Sequence, residues 1–180
     1  MKALRLCMFI GMAATLAGCV TPPKSPDELR NAVSGGMVMG SRSEVFTVNR
    51  PFRQVVDNMK KKWTTCLAQT VVFTTSSNNG QYTQYTEDKY QFNPTVTVNG
   101  NHAELLLQQQ RLGRQAVMTG GKLPDAGFYT VVFDIDAVNA KTTRVNMQEL
   151  PMTAFSFEGV MKAGRPWAEG GNAECPDLSK

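Results

Sequence analysis

Few residues in this chain carry obvious chemistry. There is one histidine, His102, and there are four cysteines, Cys7, Cys19, Cys66 and Cys175. A cysteine beside His102 would make a nucleophile–base pair, and serines and aspartates elsewhere could complete a triad. Such ingredients are common, and no GxSxG elbow, HExxH helix or GxxxxGK phosphate loop gathers them here. Asp134 and Asp136 are two apart on an expected strand, so they share a face that could meet a cation or a sugar. A calcium site takes about six to eight oxygens, whereas this segment brings two carboxylates, so a solvated strand face is the simpler reading. Glu87, Glu104, Glu149 and Glu158 offer carboxylate pairs whose separations the sequence leaves open. Tyr82, Tyr85 and Tyr90 lie among glutamines and threonines, a mixture suited to contact surfaces, with packing into the core as the competing role for each. The expectation is no catalytic set, no metal and no cofactor.

The elements that would position these residues come from 180 residues, 42% hydrophobic and 19% charged, which argues against wholesale disorder. The 19 basic and 15 acidic side chains show no dense basic stripe of the kind nucleic acid requires. Residues 1–18 have the parts of an export signal: Lys2 and Arg5, an apolar run from Leu6 to Leu16, then Ala17 and Gly18. As a helix that run rises about 16 Å, too short for a roughly 30 Å hydrocarbon core. Its removal leaves 162 residues, enough for a single domain.

Leu16-Ala17-Gly18-Cys19 resembles the lipobox of bacterial lipoproteins. The resemblance implies cleavage before Cys19, a diacylglycerol on its sulfur and an acyl chain on the new amino group. Several acyl chains anchor a protein stably, whereas one gives marginal attachment. Val20, where an aspartate would resemble an inner-membrane retention signal, implies delivery to the periplasmic face of the outer membrane. With Cys7 removed and Cys19 acylated, Cys66 and Cys175 remain in an oxidising compartment. A disulfide between them is the expectation; two separate buried thiols, or a Cys–His nucleophile using His102, are the alternatives.

Residues 19–42, with prolines, glycines and serines and no sustained periodicity, read as a lipidated N-terminus and flexible tether. Within them Asp27-Glu28-Leu29-Arg30 could make one helical turn. Residues 43–180 read as a single α+β domain. A short strand at 44–48 precedes the strongest helix signal, 51–68, where Phe52, Val55, Val56, Met59, Trp63, Cys66 and Leu67 form one apolar stripe. Strands are expected at 70–75, 81–92 and 95–98. Further strands are expected at 102–112, 128–138 and 142–150, with Asn99-Gly100 as a hairpin turn. A second helix is expected within 152–168, interrupted near Gly164 and Pro166. The predicted architecture is a curved antiparallel sheet with one long N-terminal helix and a shorter C-terminal helix packed on one face. In element order this resembles the small α+β modules of envelope lipoproteins, including helix-grip and TBP-like arrangements. The functional expectation is a lipid-anchored envelope protein that works through an envelope protein partner. A small-ligand module with a cleft between Trp63 or Met59 and Phe133 is the alternative, and a periplasmic hydrolase ranks third.

Overall fold

The computed structural model describes residues 21–36, 38–78, 80, 83–112, 127–151 and 155–179. They form α1 (Pro26–Ser34), β1 (Arg42–Val48), α2 (Phe52–Leu67), β2 (Thr70–Asn78), β3 (Thr83–Asn99), β4 (His102–Leu112), β5 (Phe128–Asn139), β6 (Thr142–Glu149) and α3 (Glu158–Ala168). The strands make one curved, half-barrel sheet in the order β1-β6-β5-β4-β3-β2, every neighbouring pair antiparallel. Because β2 to β6 follow one another as a meander, β1 and β2 are the two edges. The α2 helix connects them across the inner face.

The apolar stripe of α2 is the one its spacing predicts, and all seven of its residues are buried. They meet Leu105, Leu107, Phe133, Ile135, Val145 and Met147 from the inner face of the sheet. The α3 helix completes this layer and approaches very closely at Gly164. A β-carbon there would collide with Met147 Sδ and come within 2.9 Å of Phe133 Cε2. Gly164→Ala should therefore destabilise the fold by about 1–3 kcal/mol, because overpacking outweighs alanine's better helix propensity. An unchanged or raised melting temperature would refute this close approach.

The expectation of a long N-terminal helix and a shorter C-terminal helix on one face is corrected by the structure. Among the described residues there are three helices, and the longest, α2, is internal, following α1 and β1. Nor do the helices share a face. Leu29 and Val33 of α1 pack on Leu106, Val132 and Leu150, while Leu105, Leu107, Val131 and Phe133 point to the other side. Alternation along a strand makes these opposite faces. The start of α1 is encoded in Ser25-Pro26-Asp27-Glu28. The Ser25 hydroxyl accepts from Glu28 N at 3.2 Å, proline occupies the first turn, and two acids follow. Part of the stretch read as a flexible tether is thus a docked helix. Upstream of it, Pro23 is buried and its carbonyl accepts from Tyr129 N at 3.0 Å.

The strands expected separately at 81–92 and 95–98 are one, since β3 runs unbroken from Thr83 to Asn99. Simple alternation along β5 would put Tyr129 on the same face as Val131, but Tyr129 packs with the α1 cluster. The cause is a bulge: Leu107 lies opposite Val131 but Gln108 opposite Tyr129, leaving Thr130 as the extra residue. The Thr130 hydroxyl donates to Leu107 O at 3.1 Å, and Leu150 N donates to Thr130 O. The second helix begins only at Glu158 and carries Pro166 inside it. Glu149 serves its start, accepting from Phe157 N at 3.0 Å. Burial pushes the Glu149 carboxyl above the ordinary glutamate range, an effect partly offset by that hydrogen bond and by Arg42. A raised carboxyl pKa favours the fold below it, and that contribution is lost as pH rises through it.

Candidate functional site

Cys66 and Cys175 form a disulfide with a Cα–Cα distance of 5.0 Å. Cys66 comes from the buried stripe of α2, whereas Cys175 lies in the exposed part of the C-terminal segment. That segment is held elsewhere as well. Leu178 is fully buried, and Lys62 Nζ donates to Ala173 O at 3.2 Å. Both cysteines are therefore tied to each other, and neither of the two pairs with His102. Cys19 and Tyr82 lie outside the described residues.

Tyr85 and Tyr90 do not form one surface. Five residues apart on β3, they point to opposite faces. Tyr85 is 71% exposed. Tyr90 lies half-buried on the inner face, edge-on to Phe73 and Phe155 with centroids at 6.2 and 4.9 Å. The Arg111 guanidinium sits 6.0 Å from its ring and pairs with Asp88. Burial pushes the Tyr90 hydroxyl above the ordinary tyrosine range, with Arg111 pulling it down and Asp88 pushing it up. Sequence reasoning missed Arg111, because a cation next to a glutamine run reads as solvated.

Among the described residues, Tyr85 belongs to a two-stranded arm, where β3 is paired with β4 as far as Lys89 opposite Leu112 and with β2 from Phe73 opposite Asp88 to Asn78 opposite Thr83. Among the described residues, β2 has no neighbour on its outer side. Its sequence, Thr-Val-Val-Phe-Thr-Thr-Ser-Ser-Asn, has no charge and no proline. The other edge is guarded. On β1, Arg42 pairs with Glu158 and Glu44 with Arg165, both at 3.1 Å, so α3 flanks it with charge.

The outer face carries two charged rows. In the first, Glu104 lies directly opposite Asp134 on neighbouring strands, and Arg30 from α1 bridges them. Its Nε and one terminal nitrogen reach the two Asp134 oxygens at 3.1 and 2.7 Å. Burial alone would lower the Arg30 pKa, but the hydrogen bonds to Asp134 and Glu104 outweigh it and raise it. Arg30→Ala would leave two part-buried carboxylates facing each other. We expect a loss of about 2 kcal/mol at neutral pH, the cost of leaving those carboxylates without their cation. Urea melts at pH 7 check this, and a loss below about 0.5 kcal/mol, the range of an exposed ion pair, would contradict it. In the second row His102 Nδ1 lies 2.8 Å from Asp136 Oδ1, and Arg144 lies 3.3 Å from Asp136 Oδ2. Burial would raise the Asp136 pKa, but the bonds to His102 and Arg144 lower it overall. That stabilisation is present above the ordinary aspartate range and is lost as pH falls through the depressed value.

The second row has the form of a base and its orienting carboxylate, but among the described residues no serine or cysteine hydrogen-bonds to the His102 ring. Asp134 and Asp136 are on one face, as expected, and each is engaged by an arginine. Among the described residues no group of three or more histidine, cysteine or acidic side chains is placed to hold a metal ion. The cleft anticipated beside Trp63 is filled, since Met59, Trp63 and Phe133 are fully buried and the Trp63 and Phe133 rings lie 4.9 Å apart. Two hollows among the described residues are superficial. One, of about 520 Å³, lies over Arg42, Glu44, Glu158 and Lys162. Another, of about 330 Å³, lies where α2 ends, over Thr64, Gln69, Gln91 and Pro94.

Among the described residues, these features make an α+β scaffold with one sheet edge left open and a polar, tyrosine-bearing pair of strands beside it. No protein-family model matches the sequence, and no curated protein matches it. Among solved structures, hypothetical protein jhp0584 from Helicobacter pylori is similar over 84% of this chain and 94% of its own, at 11% identity and a TM-score of 0.39.

Proposed function

We propose that this chain is a lipid-anchored envelope protein, held by Cys19 at the periplasmic face of the outer membrane, that acts through protein–protein contact. The observation that carries the reading is the uncharged outer edge of β2 beside exposed Tyr85. An edge strand presents unpaired N–H and C=O groups, and a partner's extended segment can satisfy them by adding a strand. Tyrosine supplies contact area at little entropic cost. The filled core beneath Trp63 leaves the small-ligand alternative without its cleft, and among the described residues no serine or cysteine bonds to the His102 ring as a hydrolase reading would ask.

The test uses a photo-crosslinking residue at Thr74 in the envelope of the native host. A background with Val72→Lys and Tyr85→Ala places charge on the edge and removes the ring. Val72 is 50% exposed and Tyr85 71%, so the thermal transition should hardly move. The crosslinked partner should fall by about tenfold or more, the equivalent of about 1.4 kcal/mol. Undiminished crosslinking in the folded double variant would sink the reading, as would loss of the cellular phenotype in a folded His102→Ala variant.

A further inference from the structure

The C-terminal half of β3 has an open side of its own. The pairing of β2 with β3 begins at Thr70 opposite Gln91, and Phe92 N donates to Gln69 O at 2.9 Å. From Asn93 to Asn99, among the described residues, β3 has β4 on one side and no strand on the other. Backbone groups alternate along a strand, so the Phe92 N–H shows that the N–H and C=O groups of Val96 and Val98 also point to the open side. Pro94 belongs to the same set and has no N–H to offer, which suits an edge. Side chains alternate as well. Val96 packs against the core and Val98, 47% exposed, follows it on the inner face, while Thr95, Thr97 and Asn99 are exposed on the outer one. From Tyr90 to Asn101 there is no lysine, arginine, aspartate or glutamate. The hollow of about 330 Å³ at the end of α2 lies at the head of this edge, with the amides of Gln69, Gln91 and Asn93 and the hydroxyl of Thr64 in its wall.

We infer that two copies of this chain pair through this stretch of β3, antiparallel about a two-fold axis at Thr97, in a closed dimer separate from the contact proposed for β2. An antiparallel strand matches its own two-fold copy. With Thr97 on the axis, Val96 N–H donates to Val98 O of the second copy and Val98 N–H to that copy's Val96 O, and the same two bonds form in return. The valines become cross-strand β-branched pairs, Thr95 falls opposite Asn99, and no like charges meet. An axis at Val96 would instead set Pro94 opposite Val98 and leave that carbonyl without a donor. In the Thr97 register Pro94 lies opposite Gly100, so the polar, uncharged turn of each copy reaches the mouth of the other's amide-lined hollow. Nothing in the sheet blocks this approach. Gln91, where β2 begins, comes level with a point four residues past the other copy's Asn99, about 13 Å beyond its strand. About a dozen residues a side take part, fewer than the roughly 20–30 of a standard interface, so the dimer is weak and depends on concentration.

The experiment uses the whole mature chain in nonionic detergent, at less than one chain per micelle, with Cys66 and Cys175 occupied in their disulfide. Directly opposite residues of a non-hydrogen-bonded pair have Cα atoms about 4.5 Å apart, within reach of a disulfide. Thr97→Cys should therefore oxidise to a covalent dimer at micromolar concentration. Thr47→Cys on β1 and Thr74→Cys on β2, both also exposed, should crosslink no more than the wild-type chain. Sedimentation of the wild type should show a monomer–dimer equilibrium. Val98→Lys, at a half-exposed site, should raise its dissociation constant about tenfold or more and hardly move the thermal transition. Val72→Lys with Tyr85→Ala should leave the dimer unchanged, which separates this result from the test of the β2 edge. A chain that stays monomeric to several hundred micromolar would overturn the inference. So would crosslinking at Thr47 or Thr74 equal to that at Thr97, a dimer indifferent to Val98→Lys, or one lost in the Val72→Lys, Tyr85→Ala variant.

Discussion

Trp63→Ala should cost about 3–5 kcal/mol, a large part of the roughly 5–15 kcal/mol that holds a domain folded. Three effects act together. The indole is fully buried, so its removal opens a cavity between α2 and the inner face. Its ring lies 4.9 Å from that of Phe133 at an interplanar angle of 52°, a contact that contributes beyond buried area. Its Nε1–H also donates to Leu106 O at 3.0 Å across the layer, and that bond would be lost. Trp63→Phe separates these effects, keeping most of the ring and losing the bond, and should cost about 1–3 kcal/mol. Urea titrations give both losses. A shift in midpoint with an unchanged slope marks a true stability change, and a Trp63→Ala loss below about 1 kcal/mol would mean that this core is not packed as described.

Breaking the Cys66–Cys175 disulfide should cost about 2–5 kcal/mol. The cysteines are 109 residues apart, and in the chain-entropy account a loop of that size constrains the unfolded chain by nearly 5 kcal/mol. Cys175→Ser is the informative variant, because Cys175 is exposed and its replacement leaves the core untouched. Cys66 is 3% exposed, so Cys66→Ala adds a packing loss and should be the worse of the two. Since Leu178 and the Lys62–Ala173 bond still hold the segment, the Cys175→Ser protein should remain folded at 25 °C with faster amide exchange in α3 and beyond. Two alkylatable thiols in freshly purified, unreduced wild-type protein would contradict the bond itself.

Both predictions concern residues whose burial or pairing followed from local patterns. The α2 stripe was legible because burial against a sheet requires apolar residues every three to four positions, and the chain meets that requirement from Phe52 to Leu67. The hairpin from β3 to β4 was legible in Asn99-Gly100. The α1 helix was obscured by the glycines and prolines around it, although the Ser25–Glu28 cap announces it. Arg30 gave no sign of its role, since a cation on a short helix reads as solvated until the helix is seen to lie over Glu104 and Asp134. The tyrosines read as one set because proximity in sequence does not reveal that β3 is unbroken, and an unbroken strand sends Tyr85 and Tyr90 to opposite sides.

The sequence by itself determined which segments pair with water and which with apolar surface: the α2 stripe and the alternation of β4 to β6. These are short-range properties, set by the helical and strand periods. Tertiary structure alone decided that α1 covers the face opposite α2, that Thr130 bulges and turns Tyr129 away from Val131, that Arg30 bridges two strands, and that, among the described residues, β2 is an uncharged edge. Those outcomes depend on which strands become neighbours and in what register. Register is a property of pairs of segments far apart in the chain, and no local pattern encodes it.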